Sequence, residues 1–419
     1  MVMKKFILTL LVIFSQGIFA QRTCGTPQKM KEFFKANPDK VEYSKELRKF
    51  LENPENIKRQ NRTTSVVTVP VVVHVLYKNA TQNITDAQIQ SQLTVLNSDF
   101  RKLNSDFSTV VPPTFQPYGA DLEIAFCLAT KDPNGNATTG IIRKSVASSF
   151  NFDNNYYTSS GDLAWDPTKY LNIWVGAFSN TQYLGWAYLP DAAGDPYDGL
   201  AISYKYFGTM GTATAPYNKG RTATHEIGHY FGLNHPWGTI DGDTDTCGSL
   251  TNDDGVADTP QTSAAYYGNG NVFPDFANTC DNVTYPNGAM FMNYMDYVDD
   301  DSMAFFTMGQ KNITSNTLAG PRASLLNSNA CSNLAVSEVE KVEKIVLFPN
   351  PSSQFISISS PLIKVDEVEI FDTSGKLVLS KAKMQNQEKI DVRKLPLGLY
   401  YVRMYKDGNL LKSDKFIKK

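Results

Sequence analysis

Three of the four histidines in this 419-residue chain lie within the run HEIGHYFGLNH, which spans residues 225–235. On a helix, residues four apart share a face, so His225 and His229 can present ring nitrogens to one ion. Gly232 can take the left-handed conformation that ends a helix, after which the chain can turn back and bring in His235. Three histidines leave one position of a tetrahedral zinc ion open, as catalytic zinc sites require. The spacing therefore predicts a zinc site with His225, His229 and His235 as ligands.

Glu226 lies beside this ligand pair and next to the open position of the metal. Zinc acidifies its water and polarises a peptide carbonyl, so Glu226 can act as the general base and later return the proton to the leaving amine. A structural zinc site would need no such glutamate. The pattern HExxHxxGxxH is the extended signature of zinc metalloproteases. We therefore predict a zinc endopeptidase that acts on proteins and peptides, with Glu226 as a catalytic residue.

Charge is distributed unevenly along the chain. Residues 21–62 carry a net charge of +5, residues 63–340 carry −15, and residues 341–419 carry +6. Such an acidic middle argues against nucleic acid as a partner and favours cationic peptides or bound cations.

The first 20 residues combine a basic start, an apolar run and a small residue at position 20, which predicts a secretory signal peptide. The apolar run Phe6–Phe14 is too short to span a bilayer, and no other run approaches that length, so we expect a secreted protein without a transmembrane segment. Residues 21–62 are helix-patterned and basic, and are too short to form a core of their own. We interpret them as a pro-segment that lies on the acidic region and ends in an easily nicked basic run, Lys58–Arg62.

The region 63–331 is predicted to be the catalytic domain. A strand, a helix and further strands indicate a mixed sheet with helices packed on it. The predicted strands are 66–77, 122–129, 170–178 and 199–207, and the predicted helix is 85–103. Residues 236–289, rich in Gly, Asp, Asn and Pro, are expected to be irregular.

Residues 332–343 are predicted to be a linker, and residues 344–419 a separate small β-sandwich. Seven short strand candidates separated by turn signals such as TSGK and KDGN support this prediction. The fold class is therefore α+β, followed by a small all-β domain.

Five cysteines in an exported chain allow two disulfides and one free thiol. Cys247 and Cys280 both lie in the irregular stretch and are the first pair we expect. Cys127 and Cys331 can form the second bridge, although spacing alone does not fix that pairing.

The segment FMNYMDY at 291–297 resembles the Met-turn of metzincin proteases. Within that class, GRTATHEIGHYFGLNHPWG at 220–238 and DGVADTPQ at 254–261 are similar to the pappalysin family, in its cytophagalysin and ulilysin branch. The resemblance implies two subdomains around a cleft, with the mixed sheet and active-site helix above and irregular structure below. It also implies that Met295 forms an apolar floor under the metal and that Tyr297 stabilises the tetrahedral intermediate.

The motif RTCGTP at 22–27 resembles the start of the pro-segment in the same family. This likeness implies that a thiolate from Cys24 fills the fourth zinc position and keeps the enzyme latent as a zymogen. Removal near Arg59–Arg62 would then release activity. The alternative is a spare thiol without a role.

The acidic run 241–258 does not match an EF-hand, because Thr246 stands where the loop needs glycine and no glutamate closes it. Calcium sites in relatives nevertheless imply a second cofactor here, with Asp254 and Asp258 as candidate ligands. A solvated acidic loop is the alternative.

The residues Asp299, Asp300 and Asp301 follow the Met-turn, where metzincins build the wall of the pocket for the residue after the scissile bond. An acidic wall predicts a preference for Arg or Lys at that substrate position. A surface acidic run is the competing interpretation.

The last region resembles the C-terminal sorting domain of type IX secretion through LFPNPS at 347–352, VEIFDTSGKLV at 368–378 and IDVRKLPLGLYYVRM at 390–404. The likeness implies the type IX secretion machinery as a partner, followed by release or by attachment to the cell surface. A retained matrix- or glycan-binding module is the alternative for this domain. For the whole chain, the alternative function is a secreted, metal-stabilised binding or adhesion protein without enzymatic activity.

Overall fold

A computed structural model describes residues 23–58, 66–238, 247, 253–331, 345–360, 364–373, 376–385, 388–406 and 409–419. The predicted signal peptide 1–20, residues 59–62 of the basic run and the predicted linker 332–343 lie outside these residues. The chain divides into two compact units, Met1–Cys331 and Ser332–Lys419, which are described separately. Across the part of the chain that is described, no helix combines the length and the apolar character needed to cross a membrane.

Eight helices are described in the first unit: α1 Thr26–Ala36, α2 Lys40–Glu52, α3 Glu55–Lys58, α4 Asp86–Asp99, α5 Phe107–Val110, α6 Phe152–Asn155, α7 Arg221–Tyr230 and α8 Met308–Ala319. Its described strands are β1 Thr23–Cys24, β2 Val67–Tyr77, β3 Ile124–Leu128, β4 Ile141–Ser145, β5 Leu171–Gly176, β6 Tyr183–Ala187, β7 Gly199–Ser203, β8 Tyr267–Gly268 and β9 Tyr297–Val298.

Seven of these strands form one mixed sheet in the order β1–β6–β7–β5–β2–β3, with β4 also paired to β2. The central strands β2, β5 and β7 are parallel, and each is buried on both faces, as their runs of Val, Ile and Leu predict. Among the described strand pairs of this sheet, the pair β6–β7 is antiparallel and the others are parallel. The outermost strand β1 pairs with β6 and belongs to the amino-terminal segment.

The helix α4 packs on this sheet for reasons that its sequence makes plain. The Thr85 side chain caps it by accepting a hydrogen bond from the backbone nitrogen of Gln88 at 3.2 Å. Ile89, Leu93 and Leu96 recur at helical spacing and are all buried in the main core. The mixed sheet with packed helices is therefore confirmed.

The helices α1 and α2 have no core of their own. Met30 and Phe33 of α1 are buried in an aromatic cluster that includes Trp186, whereas Leu47 and Leu51 of α2 are buried in the main core. The segment thus gains its apolar burial from the body beneath it, as its length and pattern predict.

Two disulfides are present, Cys127–Cys331 and Cys247–Cys280. Both pairings agree with the prediction. Cys24 is the free cysteine and is buried.

The second unit consists of two antiparallel sheets around one apolar core. The strands β10, β11 and β14 form one sheet, and β13, β12, β15 and β16 form the other. Their bounds are β10 Val346–Phe348, β11 Phe355–Ser359, β12 Glu367–Phe371, β13 Leu377–Ala382, β14 Ile390–Asp391, β15 Gly398–Lys406 and β16 Asn409–Lys418. In β12, buried Val368 and Ile370 alternate with half-buried neighbours, which is the pattern of a sandwich strand. All seven predicted strands are confirmed.

Candidate active site

The active-site helix α7 is fixed at its amino end by a buried carboxylate. Asp300 Oδ2 accepts hydrogen bonds from the backbone nitrogens of Lys219, at 2.8 Å, and Arg221, at 3.3 Å. The Arg221 guanidinium in turn donates to the carbonyl oxygens of Asp300, at 2.9 Å, and Met303, at 2.7 Å. These bonds tie the start of α7 to the chain that follows the Met-turn.

The carboxyl end of α7 is closed as predicted. Gly232 has a φ of +91°, and the backbone nitrogen of Leu233 donates to the carbonyl of Gly228 at 3.0 Å. This left-handed turn reverses the chain and brings His235 back towards the helix. Buried Arg322 holds the same end by donating from Nε to the carbonyl of Tyr230 at 2.8 Å.

The three predicted ligands converge on one point. Nε2 of His235 lies 3.0 Å from Nε2 of His229 and 3.2 Å from Nε2 of His225. Each of the two helical histidines turns its Nδ1 to a backbone carbonyl: His225 to Tyr294 at 2.8 Å and His229 to Leu233 at 2.7 Å. A carbonyl only accepts, so each Nδ1 carries the hydrogen and each Nε2 keeps its lone pair.

This donor set fits zinc. Zinc–nitrogen bonds of about 2.0–2.1 Å at tetrahedral angles place two ligand nitrogens roughly 3.3 Å apart, close to the separations seen here. Burial lowers the pKa of His229 to about 4, and burial with the neighbouring histidines lowers the pKa of His235. The His229 and His235 rings are therefore neutral at ordinary pH, and the three converging Nε2 atoms suit a bound cation.

Met295 lies directly beneath the helix at this point. A Cβ atom added to Gly228, the residue just before His229, would come within 2.4 Å of Met295 Sδ. Gly228 therefore allows the sulfur to approach the backbone of α7 closely. The backbone nitrogen of Met295 donates to Asn293 Oδ1 at 2.9 Å, which fixes the turn.

Tyr297 forms an aromatic wall around the same point. Its ring centroid lies 4.9 Å from that of His235 and 5.6 Å from that of His225. Trp237 stacks on His235 at 4.6 Å with an interplanar angle of 6°. Burial, and to a lesser extent the Glu226 carboxylate, raises the pKa of Tyr297.

The remaining side of the site is occupied by the amino-terminal segment. The four possible ligand atoms of Cys24, His225, His229 and His235 lie within 4.8 Å of one another. Cys24 Sγ donates to Glu226 Oε2 at 3.1 Å, and the Thr26 hydroxyl shares its one hydrogen between that oxygen, at 3.2 Å, and the carbonyl of Ala187, at 2.9 Å. Burial and the Glu226 charge raise the pKa of the Cys24 thiol.

This segment enters the site as an added strand. Thr23 and Cys24 pair with Tyr183 and Gly185 of β6, and the backbone nitrogen of Gly25 donates to the carbonyl of Gly185 at 2.8 Å. The edge of the sheet beside the metal centre is therefore covered by main-chain hydrogen bonds as well as by Cys24.

The three aspartates after the Met-turn lie in different surroundings. Asp300 is the buried cap of α7, and Asp301 forms an ion pair with Lys219. The backbone nitrogen of Asp299 donates to the carbonyl of Gly268 at 3.1 Å.

The two candidate calcium ligands do not belong to the histidine cluster. Asp254 accepts from Thr259 Oγ1 at 2.7 Å and from the backbone nitrogen of Val256 at 3.0 Å. Asp258 caps α8 by accepting from Thr307 Oγ1 at 2.6 Å and from the backbone nitrogen of Gly309 at 2.9 Å. Calcium binding by these residues stays a prediction.

Several parts of the site were not predicted from the sequence: one strand, one side-chain hydroxyl and two main-chain carbonyls. The strand β6 was missed because YLGWA is short and contains a glycine. Thr26 lies two residues after Cys24 in the quoted motif, but only the fold places its hydroxyl on Glu226. The carbonyls of Tyr294 and Leu233 that orient the ligand histidines leave no side-chain signal at all.

Comparisons with known proteins agree with this geometry. A family model described as pregnancy-associated plasma protein-A matches residues 156–319, and one described as a secretion system C-terminal sorting domain matches residues 346–419. An extracellular metalloprotease of Colletotrichum graminicola is 30% identical over 312 residues, which cover 70% of this chain and 88% of the relative. An extracellular metalloprotease of Arthroderma benhamiae is 29% identical over 300 residues, which cover 70% of this chain and 89% of the relative.

Solved structures of Tannerella forsythia proteins are similar as well. Mature mirolysin in complex with a cleaved peptide is 40% identical, with a TM-score of 0.56, and covers 62% of this chain and 96% of its own. A promirolysin mutant is 36% identical, with a TM-score of 0.61, and covers 73% of this chain and 96% of its own.

Fold, histidine cluster and relatives together define a secreted zinc metalloendopeptidase of the metzincin class. Within that class, the chain belongs to the pappalysin family, that of pregnancy-associated plasma protein-A, and carries a carboxyl-terminal sorting domain of the type IX kind. The alternative of a binding protein without enzymatic activity is therefore wrong.

Proposed function

We propose that this enzyme is made as a latent precursor in which Cys24 blocks a zinc ion held by His225, His229 and His235. The observation that carries the proposal is the position of Cys24, whose sulfur lies among the ligand nitrogens and 3.1 Å from Glu226 Oε2. The promirolysin structure, which covers more of this chain than the mature mirolysin structure does, supports a pro-segment at the amino end.

Glu226 is the proposed general base. A bound zinc ion supplies Lewis acidity, which polarises a peptide carbonyl and acidifies water. In the precursor, Cys24 and Thr26 lie against the Glu226 carboxylate, with Sγ and Oγ1 at 3.1 and 3.2 Å from Oε2, and occupy the space that a water molecule would need. Once the segment leaves, that carboxylate can take a proton from water and return it to the leaving amine.

Tyr297 and Met295 have supporting roles in this proposal. The Tyr297 ring lies against the rings of His225 and His235, so its hydroxyl is available to donate to the oxyanion that develops on the scissile carbonyl. Met295 gives α7 an apolar floor that keeps the ligand histidines in place.

The test is a cleavage assay on a fluorogenic peptide library, with full-length protein and a form that starts near Thr63. We expect the short form to be active and to lose activity with a zinc chelator. Glu226→Ala should lower kcat by at least about 10²-fold while retaining one zinc per chain. The matched control Glu123→Ala changes a half-exposed glutamate that pairs with Lys311, and should leave activity unchanged.

Two outcomes would contradict the proposal. Equal activity in the full-length and short forms would show that the full-length chain is not latent. Full activity in Glu226→Ala would show that Glu226 is not the general base. Loss of zinc from Glu226→Ala would mean that this carboxylate is a ligand rather than a base.

The preference for Arg or Lys after the cut rests on Asp299 and Asp301, since the Asp300 carboxylate is committed to the start of α7. Cleaved-peptide profiles of Asp299→Asn and Asp301→Asn test this preference. A basic preference that survives in both variants would leave it without support.

We further propose that the second unit engages the type IX secretion machinery. A sorting signal that is cut off would be absent from the secreted form, whereas a binding module would be retained. The mass of the secreted protein distinguishes these two cases.

A further inference from the structure

A cavity of about 770 Å³ lies between α2 of the amino-terminal segment and the catalytic body. The body contributes Leu189, Asp191, Gly232 and Asn234 to its wall. Leu189 and Asn234 also line the small space beside His229 and His235. The cavity therefore adjoins the metal centre.

One basic side chain is already bound at its edge. Arg48 of α2 donates from Nη1 to the carbonyl oxygen of Gly232 at 2.7 Å and from Nη2 to the carbonyl oxygen of Asp254. Two backbone carbonyls that converge on one guanidinium form a site for a cationic side chain, because carbonyls only accept and the fork of the guanidinium presents paired donors.

An independent observation at the same cavity points to a cation. Asp191 is 7% exposed, and its Oδ1 has no hydrogen-bond partner among the residues that the structure describes. The nearby Lys40 reaches only the Asp191 carbonyl oxygen, at 3.5 Å, and the Asp195 carboxylate, at 4.0 Å. A buried carboxylate oxygen without a partner is costly unless a donor or a cation reaches it.

We propose that the carbonyls of Gly232 and Asp254 and the carboxylate of Asp191 form an arginine seat, which in the processed enzyme binds a basic side chain of the substrate away from the scissile bond. In the precursor, Arg48 occupies the carbonyl part of this seat, where its Nε also pairs with Glu52 of the same helix, and Asp191 Oδ1 is left without a partner among the described residues. The inference rests on the proposed function, since it concerns the processed enzyme.

The acidic residues of the body wall support this choice of ligand. Lys45, Arg48 and Lys49 line the cavity from the segment side, each paired with a glutamate of α2, whereas the body side presents Asp191 and Asp253. A peptide that replaces the segment there meets the same acidic wall, and a basic residue complements it.

The test uses the processed enzyme and a set of peptides cleaved at one bond, in which a single Arg is moved through each position outside the two that flank the cut. Norleucine, whose straight side chain is shorter and carries no charge, replaces Arg in the matched peptides. We expect one position to show a ratio of kcat/KM for Arg over norleucine of roughly tenfold, lost in Asp191→Asn. Asp195→Asn, a more exposed aspartate of the same loop, is the control and should keep the ratio.

A flat profile in the wild-type enzyme would overturn the arginine seat without affecting the proposed function. A peak that persists in Asp191→Asn, with thermal unfolding unchanged, would overturn the assignment of Asp191. Failure to cleave any peptide would overturn the proposed function and this inference with it.

Discussion

The amino-terminal segment attaches to the catalytic body in two regions that differ in chemistry. The first region, residues 23–30, reaches the metal centre through Cys24 and adds a strand to β6. The second region, residues 40–53, is a helix that docks on Gly232 and α8 without touching the ligand histidines. The first blocks the chemistry, and the second supplies attachment.

The difference shows in how each contact is made. Cys24 and Thr26 meet the side chain of Glu226, which has a role of its own once they leave. By contrast, Arg48 meets main-chain carbonyls, and Leu51 packs so closely on Gly232 that a Cβ atom there would lie 3.2 Å from Leu51 Cδ1. Latency and affinity should therefore be separable by mutation.

Cys24→Ala should break the first attachment and have the largest effect. It removes the fourth donor from the cluster and one hydrogen bond from Glu226, so the uncut chain should gain activity by at least about tenfold. The measurement is the initial rate on a fluorogenic peptide, with a gel to show that the chain stays intact. Thr26→Val, which removes the hydroxyl from Glu226 and from the backbone of Ala187 but keeps the Cys24 sulfur, should raise the rate less.

If the uncut Cys24→Ala chain were as inactive as the wild type while the processed form was active, Cys24 would not be the block. Strand pairing of residues 23–25 with β6 would then account for latency.

Arg48→Ala should weaken the second attachment and leave the first intact. Losing a charged donor from two carbonyls should destabilise an uncut Glu226→Ala chain by about 1.5–3 kcal/mol, seen in thermal unfolding. Lys49→Ala is the control, because Lys49 is an exposed neighbour paired only with Glu46 among the described residues and should cost under about 0.5 kcal/mol. A rise in the activity of uncut Arg48→Ala that matches Cys24→Ala would erase the distinction between the two regions.

The sequence predicted the first region far better than the second. The spacing of His225, His229 and His235 follows from helix geometry, and Cys24 was found through its resemblance to a family motif. Arg48 gave no such signal, because a basic residue on a polar helix face is normally solvated. Its partners are main-chain carbonyls of distant segments, which only the folded chain brings together.

The elements of the fold also differ in how well the sequence predicts them. The β-branched run of β2 and the alternating strands of the second unit carry their own periodicity, so they were predicted. The short strand β6 carries little, and its place next to β1 depends on pairing with residues some 160 positions away. The use of Asp300 as a cap for α7 likewise depends on a contact across 79 residues.

Asn316→Ala should have the smallest effect and gives the sharpest comparison. Asn316 Nδ2 donates to the carbonyls of Leu51 and Asn53, both at 2.9 Å. It thus supplies hydrogen-bond donors to carbonyl oxygens at the carboxyl end of α2. Its loss should destabilise the uncut Glu226→Ala chain by about 1–2 kcal/mol. In the processed form those partners are gone, so the same change should not destabilise that form.

The change in stability caused by Asn316→Ala should thus have opposite signs in the uncut and processed forms, which distinguishes docking of α2 from the intrinsic stability of α8. Asn316 lies within α8, where alanine is the better helix former by several tenths of a kcal/mol, so the processed form should become slightly more stable rather than less. Asn312→Ala, one turn earlier on the same helix, is the matched control and should change both forms alike. An equal loss of stability in the cut and uncut forms of Asn316→Ala would mean that Asn316 serves the catalytic body itself, and that α2 is held by Arg48 and Leu51 without it.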